Sequence, residues 1–81
     1  MGYVVREEDS QTGEVTRRGP FVTEQEARMV LANAVEQAYD FNPQLATADV
    51  RQEIANAVRD GCKDCFDAKG NLVCCYVIEQ E

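Results

Sequence analysis

Apolar and polar residues alternate with period two at both ends of the chain and with period three to four in the middle. This arrangement predicts strands flanking a pair of helices. Tyr3 to Glu8 and Glu14 to Arg18 read as short strands joined by the polar turn Asp9-Ser10-Gln11-Thr12-Gly13, a β-hairpin. Gly19-Pro20 is expected to break the second strand, because proline has no N–H to give to a ladder. Thr23-Glu24-Gln25-Glu26 has capping-box spacing. Beyond it Ala27, Val30, Leu31, Ala34, Val35 and Ala38 form one helical stripe that runs to about Tyr39 and stops at Asn42-Pro43.

A second helix is expected to start from Asn42 with Pro43 at its first position or, the favoured reading, from Thr47. Val50, Ile54, Ala57 and Val58 make its buried face, Arg51, Gln52, Glu53 and Arg59 look outward, and Gly61 supplies the stop. From Cys62 onward the pattern returns to a strand, a turn at Ala68-Lys69-Gly70-Asn71, and a last strand from Leu72 to Ile78 that is apolar on both faces.

The order is therefore ββααββ, an α+β domain spanning residues 1–81. Short antiparallel connections predict a four-stranded antiparallel sheet in the order 2-1-4-3, with a two-helix hairpin on one face. The last strand is then central, with the rows Leu72/Cys74/Tyr76/Ile78 and Val73/Cys75/Val77. Two helices cover only one side of a sheet, so the second row is either covered by strand twist and long neighbouring side chains or left for a partner or a homodimer contact; Tyr76 and Ile78 are the residues expected at such a contact.

Composition narrows the function. The chain has 81 residues, 44% of them hydrophobic and 28% charged, which describes a folded domain with a small core. No apolar run is long enough to span a membrane, and the start MGYVVREEDS is unlike a signal peptide, so the expected setting is the cytoplasm. Fifteen acidic residues against eight basic ones give a formal net charge of −7, with the acids spread along the chain. That balance disfavours direct nucleic-acid binding and favours a partner protein with a basic surface.

All four cysteines fall within the stretch DGCKDCFDAKGNLVCC. Cys62 and Cys65 have the spacing of a zinc knuckle, with Cys74 and Cys75 across the hairpin as a possible second half-site. Adjacent strand residues point to opposite faces, which makes Cys74-Cys75 a poor half-site. A turn centred on Lys69-Gly70 places Cys65 opposite Cys74, so a disulfide is a second option and plain packing a third. Redox catalysis of the thioredoxin type is disfavoured, since the motif follows a helix C-terminus among acids.

The chain has no histidine, its single serine, Ser10, lies in a turn, and no glycine-rich phosphate loop is present. Acid–base and nucleophilic catalysis therefore lack their usual groups. The leading expectation is a non-enzymatic interaction module that competes for a partner's basic, nucleic-acid-binding surface. Glu7, Glu8 and Asp9 in the first hairpin, with Asp49, Glu53 and Asp60 on the second helix, are the candidate contacts; the alternative is a zinc-stabilised structural domain. In size, acidity and lack of catalytic groups the chain resembles small phage-encoded inhibitors, anti-CRISPR proteins among them. That resemblance implies inhibition by occupying a nucleic-acid-binding complex.

Overall fold

A computed structural model describes residues 2–81. The elements are β1 (Tyr3–Asp9), β2 (Val15–Phe21), α1 (Glu24–Phe41), α2 (Val50–Asp60), β3 (Cys62–Phe66) and β4 (Leu72–Gln80). All strand pairs are antiparallel and the sheet order is β2-β1-β4-β3, so the α+β ββααββ architecture read from the pattern is the one observed.

β2 does not end at Gly19-Pro20 as expected. It continues to Phe21, which pairs with Tyr3, while Arg18 pairs with Val5, and the irregularity between them absorbs the one extra residue of β2. β2 is an edge strand, where a proline's missing N–H costs no ladder bond. Gly19 permits the kink: its φ is +124°, and a Cβ there would lie 2.9 Å from the Tyr3 carbonyl oxygen.

α1 starts where the capping-box spacing predicts, the Thr23 side chain accepting from the Glu26 N–H at 3.2 Å, but among the described residues the expected return bond from the Thr23 N–H to the Glu26 carboxylate is not made. Its buried stripe is Ala27, Leu31, Ala34, Val35 and Ala38. α2 is capped by Asp49, not by Thr47. Asp49 accepts from the Gln52 N–H at 3.3 Å, and Thr47 Oγ1 accepts from the Asp49 N–H at 3.1 Å and so braces the cap from outside the helix. An aspartate at this position adds a negative charge at the positive end of the helix dipole, which threonine cannot. Asp49→Ala is expected to cost about 1 kcal/mol in urea unfolding, and Thr47→Ala clearly less, because only the former removes the cap.

α2 closes on Gly61, with φ +71° and its N–H bonded to the Ala57 carbonyl at 2.8 Å. Arg28 of α1 reaches across to the Val58 and Arg59 carbonyls, satisfying groups a helix end otherwise leaves open. The core joins the α1 stripe to Val5, Cys65, Val73, Cys74 and Tyr76 of the sheet, with Ala57 from α2 and Leu45 from the interhelical loop. That loop is pinned to β3 by the Leu45–Asp67 bridge and by the Ala46 N–H to the Phe66 carbonyl at 2.9 Å.

Candidate functional site

The strand register sorts the four cysteines onto two faces. Cys65 pairs with Cys74 beneath the helices, where both are buried, whereas Cys62 is exposed and Cys75 half-buried on the opposite side of the sheet. Four thiolates divided between two faces cannot surround one tetrahedral ion. Among the described residues no group of three or more cysteine or acidic side chains is placed to hold a metal. The zinc reading of Cys62, Cys65, Cys74 and Cys75 is thus corrected by simple alternation along β3 and β4.

The same alternation corrects the expected partner face. Tyr76 is 4% exposed and Ile78 packs against the core, both under the helices beside Val5. Burial pushes the Tyr76 phenol well above its ordinary pKa. The open face instead carries Cys75 and Val77 of β4 with exposed Phe66 and Leu72, interleaved with Arg6, Glu8 and Asp64. Both rows of β4 are apolar, so composition did not reveal which one the helices cover.

The six nominated carboxylates are all engaged within the chain. Glu7 lies 3.4 Å from Arg18, Glu8 3.3 Å from Arg6, and Asp60 2.9 Å from Arg59. The Asp9 carboxylate accepts from the Gln11 and Thr12 N–H groups and shapes the first turn, and Asp49 caps α2. Hydrogen bonding from Arg59 holds the Asp60 carboxyl below its usual pKa. The structure gathers these residues into no common patch: three lie on the hairpin, and three are distributed along α2 in separate local roles.

Glu53 is the largest departure from the sequence reading, which turned it toward solvent. Its Oε2 accepts from the Tyr39 hydroxyl at 2.6 Å and lies 3.0 Å from Lys63 Nζ, with side-chain exposures of 24% for Glu53 and 15% for Lys63. Tyr39, Glu53 and Lys63 thus tie α1, α2 and β3 together at one point. Glu53 is one turn before buried Ala57, which puts it at the margin of the apolar arc, and that spacing was the available signal. The Tyr39 hydrogen bond, followed by Lys63, holds the Glu53 carboxyl below its ordinary value of 4.5 against the opposing effect of burial. A carboxylate held ionised in this way is a structural anchor rather than a proton donor or acceptor.

A lowered folded-state pKa stabilises the fold fully above the unfolded value and progressively less as pH falls through the folded value. Glu53→Gln is therefore expected to cost about 1 kcal/mol at neutral pH, with the gap from wild type narrowing once the pH drops below about 4.5. Urea unfolding of both proteins across pH 3–7 measures it. A gap independent of pH would contradict the ionised network.

The carboxylates free of such bonds lie elsewhere. Among the described residues, Glu14, Glu26, Glu36, Asp40, Asp64 and Glu81 make no side-chain hydrogen bond or ion pair, and three of these are on α1. Glu26, Met29, Asn33, Glu36 and Asp40 recur at steps of three and four and share the face opposite the core stripe, where all are exposed. Met29 is 61% exposed, and Phe41, which ends the helix, is 79% exposed. The only base on α1, Arg28, is turned aside to Glu24 at 2.7 Å and to the end of α2.

No protein-family model matches this chain, and neither a curated protein nor a solved structure matches it.

Proposed function

We propose that this protein is a non-enzymatic interaction module that binds a basic protein surface through the solvent face of α1, excluding nucleic acid from that surface. The observation that carries the reading is the α1 ridge: Glu26, Glu36 and Asp40 on one face, no base among them, and the exposed apolar side chain of Met29 in the same row. Carboxylates already tied to internal arginines gain little from a new cation. Carboxylates without partners can each accept a charge-assisted bond from an arginine or lysine.

The placement of Asp40 supports the same reading. It sits in the last turn of α1, where no basic residue is present, and there the helix dipole disfavours an anion by roughly 0.3–1 kcal/mol. Retaining a charge against local stability is the pattern expected where function, rather than folding, sets the residue. From Glu26 to Asp40 the carboxylates extend along about 21 Å of helix axis, a length suited to a groove that otherwise tracks a phosphate backbone. Met29 adds apolar contact to a partner that also offers hydrophobic surface. Inhibition by occupancy follows without chemistry, as in the small phage-encoded inhibitors whose composition this chain resembles.

The test is displacement. A fluorescent single-stranded oligonucleotide is bound to an arginine-rich peptide, and the protein is titrated in. The expected result is release of the oligonucleotide, with apparent affinity weakening about tenfold between low and physiological salt. No release at any salt concentration would overturn the reading. Asp40→Asn is expected to weaken displacement while raising the unfolding free energy by about 0.3–0.5 kcal/mol, a pairing of opposite signs that a purely structural aspartate would not show.

A further inference from the structure

Cys65 and Cys74 face each other across β3 and β4, and the ladder defines the kind of pair they form. The Ile78 N–H donates to the Gly61 carbonyl at 2.9 Å, which makes Gly61/Ile78 a hydrogen-bonded pair in register with Cys62/Val77. Pair type alternates along an antiparallel ladder, so Lys63/Tyr76 and Cys65/Cys74 are hydrogen-bonded pairs too. The Cα atoms of such a pair lie about 5.5 Å apart, within disulfide range. Its Cβ atoms sit about 5 Å apart, beyond the roughly 3.8 Å typical of a relaxed disulfide. The register irregularity directly after Cys65 gives β3 room to shift.

We propose that Cys65 and Cys74 are a redox-responsive dithiol that closes to a cross-strand disulfide on exchange with a small disulfide oxidant and reopens readily in a reducing thiol pool. The geometry separates it from a permanent structural bridge: a bond closed at a hydrogen-bonded pair is strained, and strained disulfides are the easily reduced ones. It also separates the pair from Cys62 and Cys75, which share the open face only as diagonal neighbours, about 7 Å apart.

The two thiols divide the chemistry. Cys74 is 7% exposed and Cys65 1%, so Cys74 is the sulfur an incoming reagent meets first. The hydrogen bond from Cys65, then that from Tyr76, lowers the Cys74 thiol pKa, while Cys65, which gives that bond and is buried, is raised. The Cys74 thiolate attacks one sulfur of the oxidant, whose S–S bond breaks to release one thiolate. Cys65 then attacks Cys74 Sγ, displacing the second. Two electrons pass from the pair to the oxidant, and the two thiol protons end on the released thiols. Closing draws β3 toward β4 at the strand that also carries Lys63, so the Tyr39–Glu53–Lys63 tie registers the change.

The experiment uses the full chain as the Cys62→Ser, Cys75→Ser double variant, which leaves both core thiols in place. The protein is equilibrated in glutathione buffers of increasing oxidised-to-reduced ratio, quenched and read by intact mass and peptide mapping. The expected result is loss of two hydrogens with a Cys65–Cys74 linked peptide, no lasting glutathione adduct, and full reversal in excess reduced glutathione. In a companion Cys65→Ser variant, one glutathione should remain trapped on Cys74. A double variant that keeps both thiols in oxidised glutathione, or ends as glutathione adducts alone, would overturn the proposal. So would wild-type protein in which only Cys62 and Cys75 become linked.

Discussion

Leu31→Ala is expected to remove about 3–4 kcal/mol of stability, one of the two largest single effects in the molecule. Leu31 is fully buried at the centre of the α1 stripe, among Val35, Ala27 and the sheet residues beneath them. Alanine loses the transfer free energy of the missing atoms and leaves a cavity that neighbours packed on both sides cannot fill. A domain of 81 residues has a total stability of roughly 4–12 kcal/mol, so the change takes a large share of it. Thermal unfolding by circular dichroism should show the midpoint falling by roughly 15–25 °C. Met29→Ala, one helical position of comparable chemistry turned to solvent, should move it by only a few degrees. Equal shifts for the two would mean that α1 does not present its apolar stripe to the sheet.

Tyr76→Ala should cost about 3–5 kcal/mol, and its readout distinguishes two accounts of β4. If the Tyr76 row were an exposed dimer seam, truncation would yield stable monomers. The structure places the ring at 4% exposure, beside Cys74 and Lys63 on the strand ladder and under α1, so truncation should instead lower the midpoint sharply with no change in native mass before unfolding. Replacing Leu72 or Phe66 on the open face should leave stability within about 1 kcal/mol of wild type. Sedimentation together with thermal unfolding reads both quantities in one preparation. Monomers of unchanged stability would refute the assigned face.

The secondary structure was legible because its signals are local. Thr23 and Glu26 mark a helix start by spacing alone, Gly61 marks an end through its left-handed backbone, and the turn around Lys69-Gly70 sets Cys65 opposite Cys74 by counting outward. What failed to appear in the pattern depends on the third dimension. Cys75 and Val77 are as apolar as Tyr76 and Ile78, and only the side taken by the helix hairpin decides which row becomes core, while the irregularity after Cys65 leaves Val73 buried and Leu72 exposed, against the alternation. A proline looks like a strand break until its strand proves to be an edge.

The candidate site was legible in kind rather than in place. Net charge pointed to a basic partner, but charge says nothing of which carboxylates are already occupied. Glu7, Glu8 and Asp60 look free in the sequence because their arginine partners lie on another strand or at positions with several choices. Glu53 reads as solvated because a glutamate beside an apolar arc is usually so, and its two partners come from elements 10 or more positions away. The ridge on α1 carries no signal of its own in the sequence, because a helix's polar face is its ordinary solvated side. It stands out only after the other acids have been assigned to caps, turns and ion pairs.

The most direct measurement compares two triple variants in the oligonucleotide displacement assay. One is Glu26→Gln, Glu36→Gln, Asp40→Asn on α1; the other is Glu14→Gln, Asp64→Asn, Glu81→Gln, the remaining carboxylates without internal partners. Both raise the formal charge by three from −7, so any effect of charge alone is the same in each. The α1 triple should weaken displacement at least tenfold, and the other should stay within about twofold of wild type. Equal loss in the two variants would contradict the account, since it would make the protein a diffuse polyanion with no binding face.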